Sequence, residues 1–591
     1  MALLQQFRVR SIVDCRGFEG REIVKLSVIA ITILIPLNAL SDPMTPDALR
    51  TAAHDYYEWQ KREFPVFASD QGFHAYDDRL ADFSTSAIAR RRAHVRDLLD
   101  RVRATDISKW SKDDKIDAIL FRAQLEGSNF PDRVRKLEES DPSVYVNEAS
   151  NAIFSLLKKD YDTPRNRAIA ATSRLKKMPA LIEQGKKNLT QPMRLYAEFA
   201  IQSARSIDPL LNDSLMTLAG DMNPTERDAL INAKTDALRA IHGYADWLEK
   251  RLPTMTAWKP LGLENYEYML HHILLLPFSA HDIAHLGEVE LARYRGLEAM
   301  LPDPSLADPN PKRAKNIPAN QQDFLKAYQS REEEMIQFLK EKRLVTIPSY
   351  IGPFLIRQLP EAFKPTSPGG FMNPPGVYDP DNSGFFFIPT YNPESRNFYI
   401  RAAIEDPRPI LGHEGIPGHF LQISIGNHLQ NEIRRHHGDT VFVEGWALYG
   451  EEMLLREGLY PPDSATAGQV LRLSRYRAAR IGVDVNLHTG KWTFDQAVNY
   501  FMEGGGLDRE AATGEAAGSA VDPTQKISYM TGKWQIMRLL GRYRDAKGAD
   551  FRLGQFHDVL IANGSIPVSV IQWILLDDAA DLEKATGLKL R

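Results

Sequence analysis

Apolar residues recur at spacings of three and four through most of the first three hundred positions, the period of a helix that buries one face. "TPDALRTAAHDYYEWQKREF" (residues 45–64) opens the pattern, with Thr45 as a helix N-cap and Pro46 at the first helical position. "DKIDAILFRAQLEGSNF" (residues 114–130) repeats it. The pattern predicts a helical scaffold over residues 42–302. Proline density then forbids regular structure in "PDPSLADPNPKRAKNIPANQQ" (residues 302–322), so a Pro-rich loop is expected over 303–322, and helical periodicity resumes at about residues 321–342.

The period changes between residues 347 and 399, where turn residues alternate with aromatic and β-branched runs. "GFFFIPTY" (residues 384–391) is the best strand candidate in the chain. A small antiparallel sheet is expected there, its edge available to an extended peptide by strand addition. After residue 410 the helical period returns to the end. The fold class predicted is therefore mainly α, with a second half over residues 323–591 that carries the small sheet and C-terminal helices.

Composition adds boundaries. With 591 residues, 43% hydrophobic and 25% charged, the chain has ordinary globular composition, and a formal charge of −4 gives no basic balance of the kind that binds nucleic acid. Arg21 and Lys25 precede the apolar run "LSVIAITILIPL" (residues 26–37), with Ala39, Leu40 and Ser41 following. This reads as a signal peptide over residues 1–41, too short for a comfortable membrane span, which needs about 20 residues. The expected product is exported, periplasmic or extracellular, with no stable membrane span after cleavage. Cys15, the only cysteine, lies in this leader and forms no lipoprotein-type cleavage site, so the mature chain relies on its core rather than on disulfides.

The candidate chemistry sits in "GHEGIPGHFLQ" (residues 412–422). A zinc helix of the H-E-x-x-H type places two histidines four residues apart on one face, with the Glu as general base. Here His413 and Glu414 are followed by Pro417, and the second histidine is His419. On a regular helix six residues leave two side chains about 120° apart, too far round to share one ion. The backbone must therefore absorb two residues. Pro417 removes the hydrogen bond back to the His413 carbonyl, and Gly415 and Gly418 lower the cost of irregular dihedrals. A third ligand is supplied by "VFVEGWALYGEE" (residues 441–452), with Glu444 near the start of an amphipathic helix. An unbroken helix from Gly418 to His437 would carry the chain too far for Glu444 to return. The motif helix is therefore expected to stop near Gly426 and Asn427, with a short return element ending at a Gly438-Asp439 turn.

A competing motif, "HDIAH" (residues 281–285), has regular histidine spacing at His281 and His285. Its surroundings read as an ordinary charged amphipathic helix capped by Ser279, and no later segment pairs with it.

Taken together, "HEGIPGHFLQ", "FVEGWALYGE", "RYRAARIGVDVNLH" (residues 475–488), "QKISYMTGK" (residues 525–533) and "FHDVLIANGSIP" (residues 556–567) resemble the bacterial domain-of-unknown-function family 885 over essentially the whole mature chain. The resemblance implies a mostly helical zincin-like fold with a deep cleft between helical halves, distantly similar to angiotensin-converting enzyme and thimet-type oligopeptidases. It implies a metal-dependent hydrolase of short peptides holding one zinc ion, with His413, His419 and Glu444 as ligands and Glu414 as general base. Tyr529 and His557 are the candidate oxyanion donors. Asp484 and His488 are expected to form a positioning or substrate-orienting pair, with Arg477 and Arg480 offered to a substrate carboxylate. Two other readings stay open: a non-catalytic metal-containing binding protein, and a hydrolase of non-peptide amides or esters.

Overall fold

The computed structural model describes residues 44–301, 317–360, 369–395, 397–461 and 464–590. The expected signal peptide and most of the Pro-rich loop lie outside these residues. Met44–Arg591 form one compact unit.

The principal helices of the first segment are α1 (Pro46–Glu63), α2 (Thr85–Arg103), α3 (Lys112–Phe130), α4 (Pro164–Asn188), α5 (Pro224–Arg251) and α6 (Ala280–Ala299). Thr45 caps α1 as the sequence predicts, its hydroxyl accepting from the Ala48 amide at 3.2 Å. The second segment adds α7 (Gln321–Lys342), strands β1 (Phe354–Gln358), β2 (Phe371–Asn373) and β3 (Gly384–Ile388), then helices to the C-terminus. One apolar core joins the segments: Tyr56, Phe121 and Leu125 of the first pack with Phe386, Trp446 and Ile571 of the second. A second core, including Tyr145, Leu175 and Tyr244, lies wholly within the first segment.

The sheet differs from the expectation. Its order is β1-β3-β2, with β2 antiparallel and β1 parallel to the central β3, so it is mixed. The chain between Gln358 and Gly384 is long enough for the crossover that a parallel pair requires. Because β3 is flanked on both sides, residues 384–388 offer no edge to a peptide; the edges belong to β1 and β2. The strand itself was legible, and all five of its residues are buried.

The sheet braces the histidine motif. Phe354 of β1 stacks near Phe420 at 4.9 Å between ring centroids, and Gly384 of β3 lies against the same phenylalanine. Among the described residues no helix is long and apolar enough to cross a membrane.

Candidate metal centre

His413 and Glu414 end α8 (Arg408–Glu414), and His419 begins α9 (His419–Asn427). The four residues between are not helical: Gly415 has φ −101° and ψ −119°, Gly418 has φ −73° and ψ −135°, and the Ile416-Pro417 bond is cis. The six-residue spacing is therefore absorbed by a bend, as the sequence requires. Gly418 packs so tightly that a Cβ there would lie 1.9 Å from the His413 carbonyl oxygen. The bend is pinned from outside by Trp446, whose indole N–H donates to the Pro417 carbonyl at 2.8 Å.

The return path also follows the reach argument. α9 stops at Asn427, a four-residue helix α10 (Glu432–Arg435) turns the chain, and Asp439 caps α11 (Thr440–Arg456), accepting from the Phe442 amide at 2.7 Å. Glu444 thereby returns to the histidines. Its Oε2 lies 3.4 Å from His413 Nε2 and 3.3 Å from His419 Nε2, and the three ligand atoms fall within 4.8 Å of one another.

These distances suit a tetrahedral ion, since ligands about 2.0 to 2.1 Å from a metal stand roughly 3.3 Å apart. The chemistry of the set agrees. His413 Nδ1 faces Glu451 Oε1 at 2.8 Å, and because a carboxylate only accepts, Nδ1 carries a hydrogen, so Nε2 is the nitrogen that would give up its proton to bind an ion. Glu444 Oε2 is buried with no hydrogen-bond partner among the described residues. Acceptors thus converge where positive charge is required. The His413 imidazole shows the same demand: burial disfavours its charged form, yet the nearby carboxylates of Glu444 and Glu451 outweigh this and raise its pKa to about 9. Burial likewise opposes ionisation of Glu444, but the charges of His419 and His413 hold it well below the usual carboxylate range.

α11 carries more than the ligand. Glu451, two turns after Glu444 on the same side, orients His413, and its Oε1 is also 3.1 Å from Arg477 Nη2. This residue was not anticipated, although its seven-residue spacing from Glu444 was a readable signal. The Arg477 charge and the His413 hydrogen bond offset burial and keep Glu451 ionised. α11 crosses α14 (Gln525–Lys547) through a glycine pair, where a Cβ on Gly532 would lie 1.9 Å from the Val441 carbonyl. That contact brings Tyr529, one turn before Gly532, to the centre: its ring lies 6.1 Å from that of His413.

A cavity of about 330 Å³ opens on these groups, lined by His413, Glu414, Arg477, Arg480 and Tyr529 and walled by residues such as Phe386, Ala402 and Leu473. Its lining residues all lie between Tyr328 and Tyr529, so the cavity belongs to the second segment rather than to a cleft between helical halves. Arg477 and Arg480 project from α12 (Ala465–His488), and Arg480 is paired with Glu515 of α13 (Arg509–Val521) through contacts of 3.1 Å.

The remaining candidates stand elsewhere. His557, on α15 (Leu553–Ile561), is buried beside Trp446, its Nδ1 2.6 Å from the Leu344 carbonyl and its Nε2 2.7 Å from the Tyr449 hydroxyl. His488 lies against Trp258 and Tyr266, with Nε2 2.7 Å from the Ser519 carbonyl, and lines a separate cavity. Asp484 accepts from the Tyr266 hydroxyl and from the Thr524 and Lys526 amides, tying α12 to the start of α14. Successive turns of α12 face different neighbours because the helix is buried nearly all round. His281 and His285 are exposed, and Asp282 is used in a capping box with Ser279.

Residues 65–574 match the pattern of the bacterial proteins of unknown function designated DUF885. The chain belongs to this family. No curated protein matches the sequence. Two solved structures are similar to the DUF885 chain. One, a candidate lipoprotein of unknown function from Shewanella oneidensis, has a TM-score of 0.70 at 20% identity, covering 90% of this chain and 100% of that one. The other, a candidate lipoprotein from Colwellia psychrerythraea, has a TM-score of 0.72 at 17% identity, covering 90% and 98%. At this identity the likeness shows a shared fold.

Proposed function

We propose that this DUF885 protein is a metal-dependent hydrolase of peptide or peptide-like amide bonds in short substrates, with one zinc ion held by His413, His419 and Glu444. The observation that carries the reading is the convergence of two buried histidines and the half-buried Glu444 on one point, with His413 and Glu414 both lining the adjoining cavity. A structural zinc site is closed by a fourth protein ligand; among the described residues this group has three.

His413, His419 and Glu444 would hold a zinc ion whose Lewis acidity would polarise a scissile carbonyl and make water a stronger acid. Glu414 follows His413 in the chain, is half-buried and lines the cavity; in this reading it takes the proton of the attacking water and returns it to the leaving amine. Tyr529 Oη accepts from Gln525 Nε2 at 2.9 Å, which leaves its own hydrogen to donate to the developing oxyanion. Burial and the nearby Glu444 raise the Tyr529 pKa, so the hydroxyl stays protonated at neutral pH. His557 and His488 take no part in this step, since neither lines the cavity. Glu414→Gln is expected to abolish turnover of a peptide library while metal content stays at the wild-type level. Retained turnover would remove Glu414 as the base.

The apolar run of residues 26–37 supports export, as does the likeness to two proteins described as candidate lipoproteins. The chain is accordingly read as working outside the cytoplasm.

A further inference from the structure

Arg477 carries more donors than its neighbours use. Its residue is 6% exposed and lines the metal cavity, and its Nη2 is paired with Glu451. Its Nε and Nη1, both buried, have no hydrogen-bond partner among the described residues. Leaving charged donors buried and unmatched is costly, so such groups point to a ligand that completes them. Elsewhere in the cavity wall two more buried atoms are unmatched among the described residues: Gln469 Oε1, an acceptor, and Tyr328 Oη.

The position of Arg477 is fixed relative to the reaction centre. Its Nη2 and His413 Nδ1 contact the same oxygen, Glu451 Oε1, at 3.1 and 2.8 Å, so guanidinium and imidazole are neighbours. A residue of extended chain spans about 3.3 to 3.6 Å, so an anion on Arg477 lies one or two residues from a carbonyl held beside His413. On the same wall Arg480 is paired with Glu515 at 3.1 Å, a carboxylate that Lys526 also meets at 3.3 Å. The apolar residues Ala402, Ala403, Ile410 and Leu473 offer room for a side chain between.

From this we infer that Arg477 docks the free terminal carboxylate of the substrate, so that the protein acts on peptides or N-acyl amino acids within one or two residues of their C-terminal end. The inference rests on the hydrolase reading and deepens it. Arg477 acts by position: Nη1–H, on the edge away from Nε, donates to the carboxylate while Nη2 keeps Glu451 in place. Gln469 Oε1 accepts from an amide N–H of the same substrate.

The test measures binding in the metal-loaded Glu414→Gln protein, using a pool of N-acetylated tripeptides prepared both as free acids and as C-terminal amides. The acids are expected to bind roughly 10- to 100-fold more tightly than the amides, the range for losing hydrogen bonds to a charged group. Equal binding, or no binding by either pool, overturns the proposal. Arg477→Lys in the same background keeps a charge opposite Glu451. It should reduce the acid preference severalfold with metal content and thermal midpoint unchanged; an undiminished preference shows that another group holds the carboxylate. Wild-type turnover is read separately. Acid preference without turnover removes the hydrolase reading and keeps the carboxylate site, whereas cleavage of acids and amides at one rate keeps the hydrolase and removes the site.

Discussion

Nδ1 of His413 and Oε1 of Glu451 lie 2.8 Å apart, both groups buried, with Arg477 closing on the same oxygen. This contact fixes which imidazole nitrogen faces Glu444. Glu451→Gln is expected to weaken zinc binding about 10- to 100-fold, the usual effect of losing a carboxylate behind a ligating histidine. Competition with a chromophoric chelator measures it. Unchanged affinity would mean that packing alone orients the ring.

Gly418 is required by contact. The Cβ of Gly418→Ala would lie 1.9 Å from the His413 carbonyl oxygen and 2.5 Å from that of Gly412. The bend must open, at a cost of about 1 to 3 kcal/mol or more, and the two histidines separate. Loss of metal together with a lower denaturation midpoint is the expected result. Gly438→Ala, where an added Cβ meets nothing within 4 Å, is the matched control and should change neither.

Regular histidine spacing on α6 brings no third ligand with it among the described residues. His281 and His285 are exposed on a capped helix, and among the described residues the one group able to hold a metal is His413, His419 and Glu444. Replacing His281 and His285 together by alanine should leave the metal stoichiometry unchanged by elemental analysis. Loss of metal would reverse the assignment.

Acid stability carries a signature of His557. Burial lowers its pKa to about 4, against roughly 6.5 in an unfolded chain. The unfolded state therefore binds the extra proton between these values. The contribution of His557 to stability is present above about pH 6.5 and is lost as pH falls through about 4, by up to about 1.4 kcal/mol per pH unit. Denaturant titrations of His557→Gln, which can still donate to Leu344 and accept from Tyr449, should show a shallower slope across that window. An unchanged slope would assign the acid sensitivity to other groups.

Much of the centre was legible because its constraints are local. The bend between His413 and His419 follows from helix geometry and from Pro417, and the stop at Asn427 follows from the reach that Glu444 needs. The strand at residues 384–388 was readable from composition, but its parallel partner was not, since pairing direction depends on a crossover through segments with no strong period. His488 and His557 show the opposite failure. Each sits in a distinctive stretch of sequence, yet each is held in the core, His557 through both nitrogens and His488 through Nε2 to the Ser519 carbonyl.

What the sequence by itself determined is the candidate ligand set: residue types, spacing and the forced break in the helix leave His413, His419 and Glu444 little freedom. What the tertiary structure alone decided is everything those ligands face. Glu451 becomes the partner of His413, Arg477 comes to share it, and Tyr529 approaches because Gly445 and Gly532 let two helices touch backbone to backbone. Chain geometry over a few residues fixes the first. The second depends on which buried faces meet across the fold, and no local period records that.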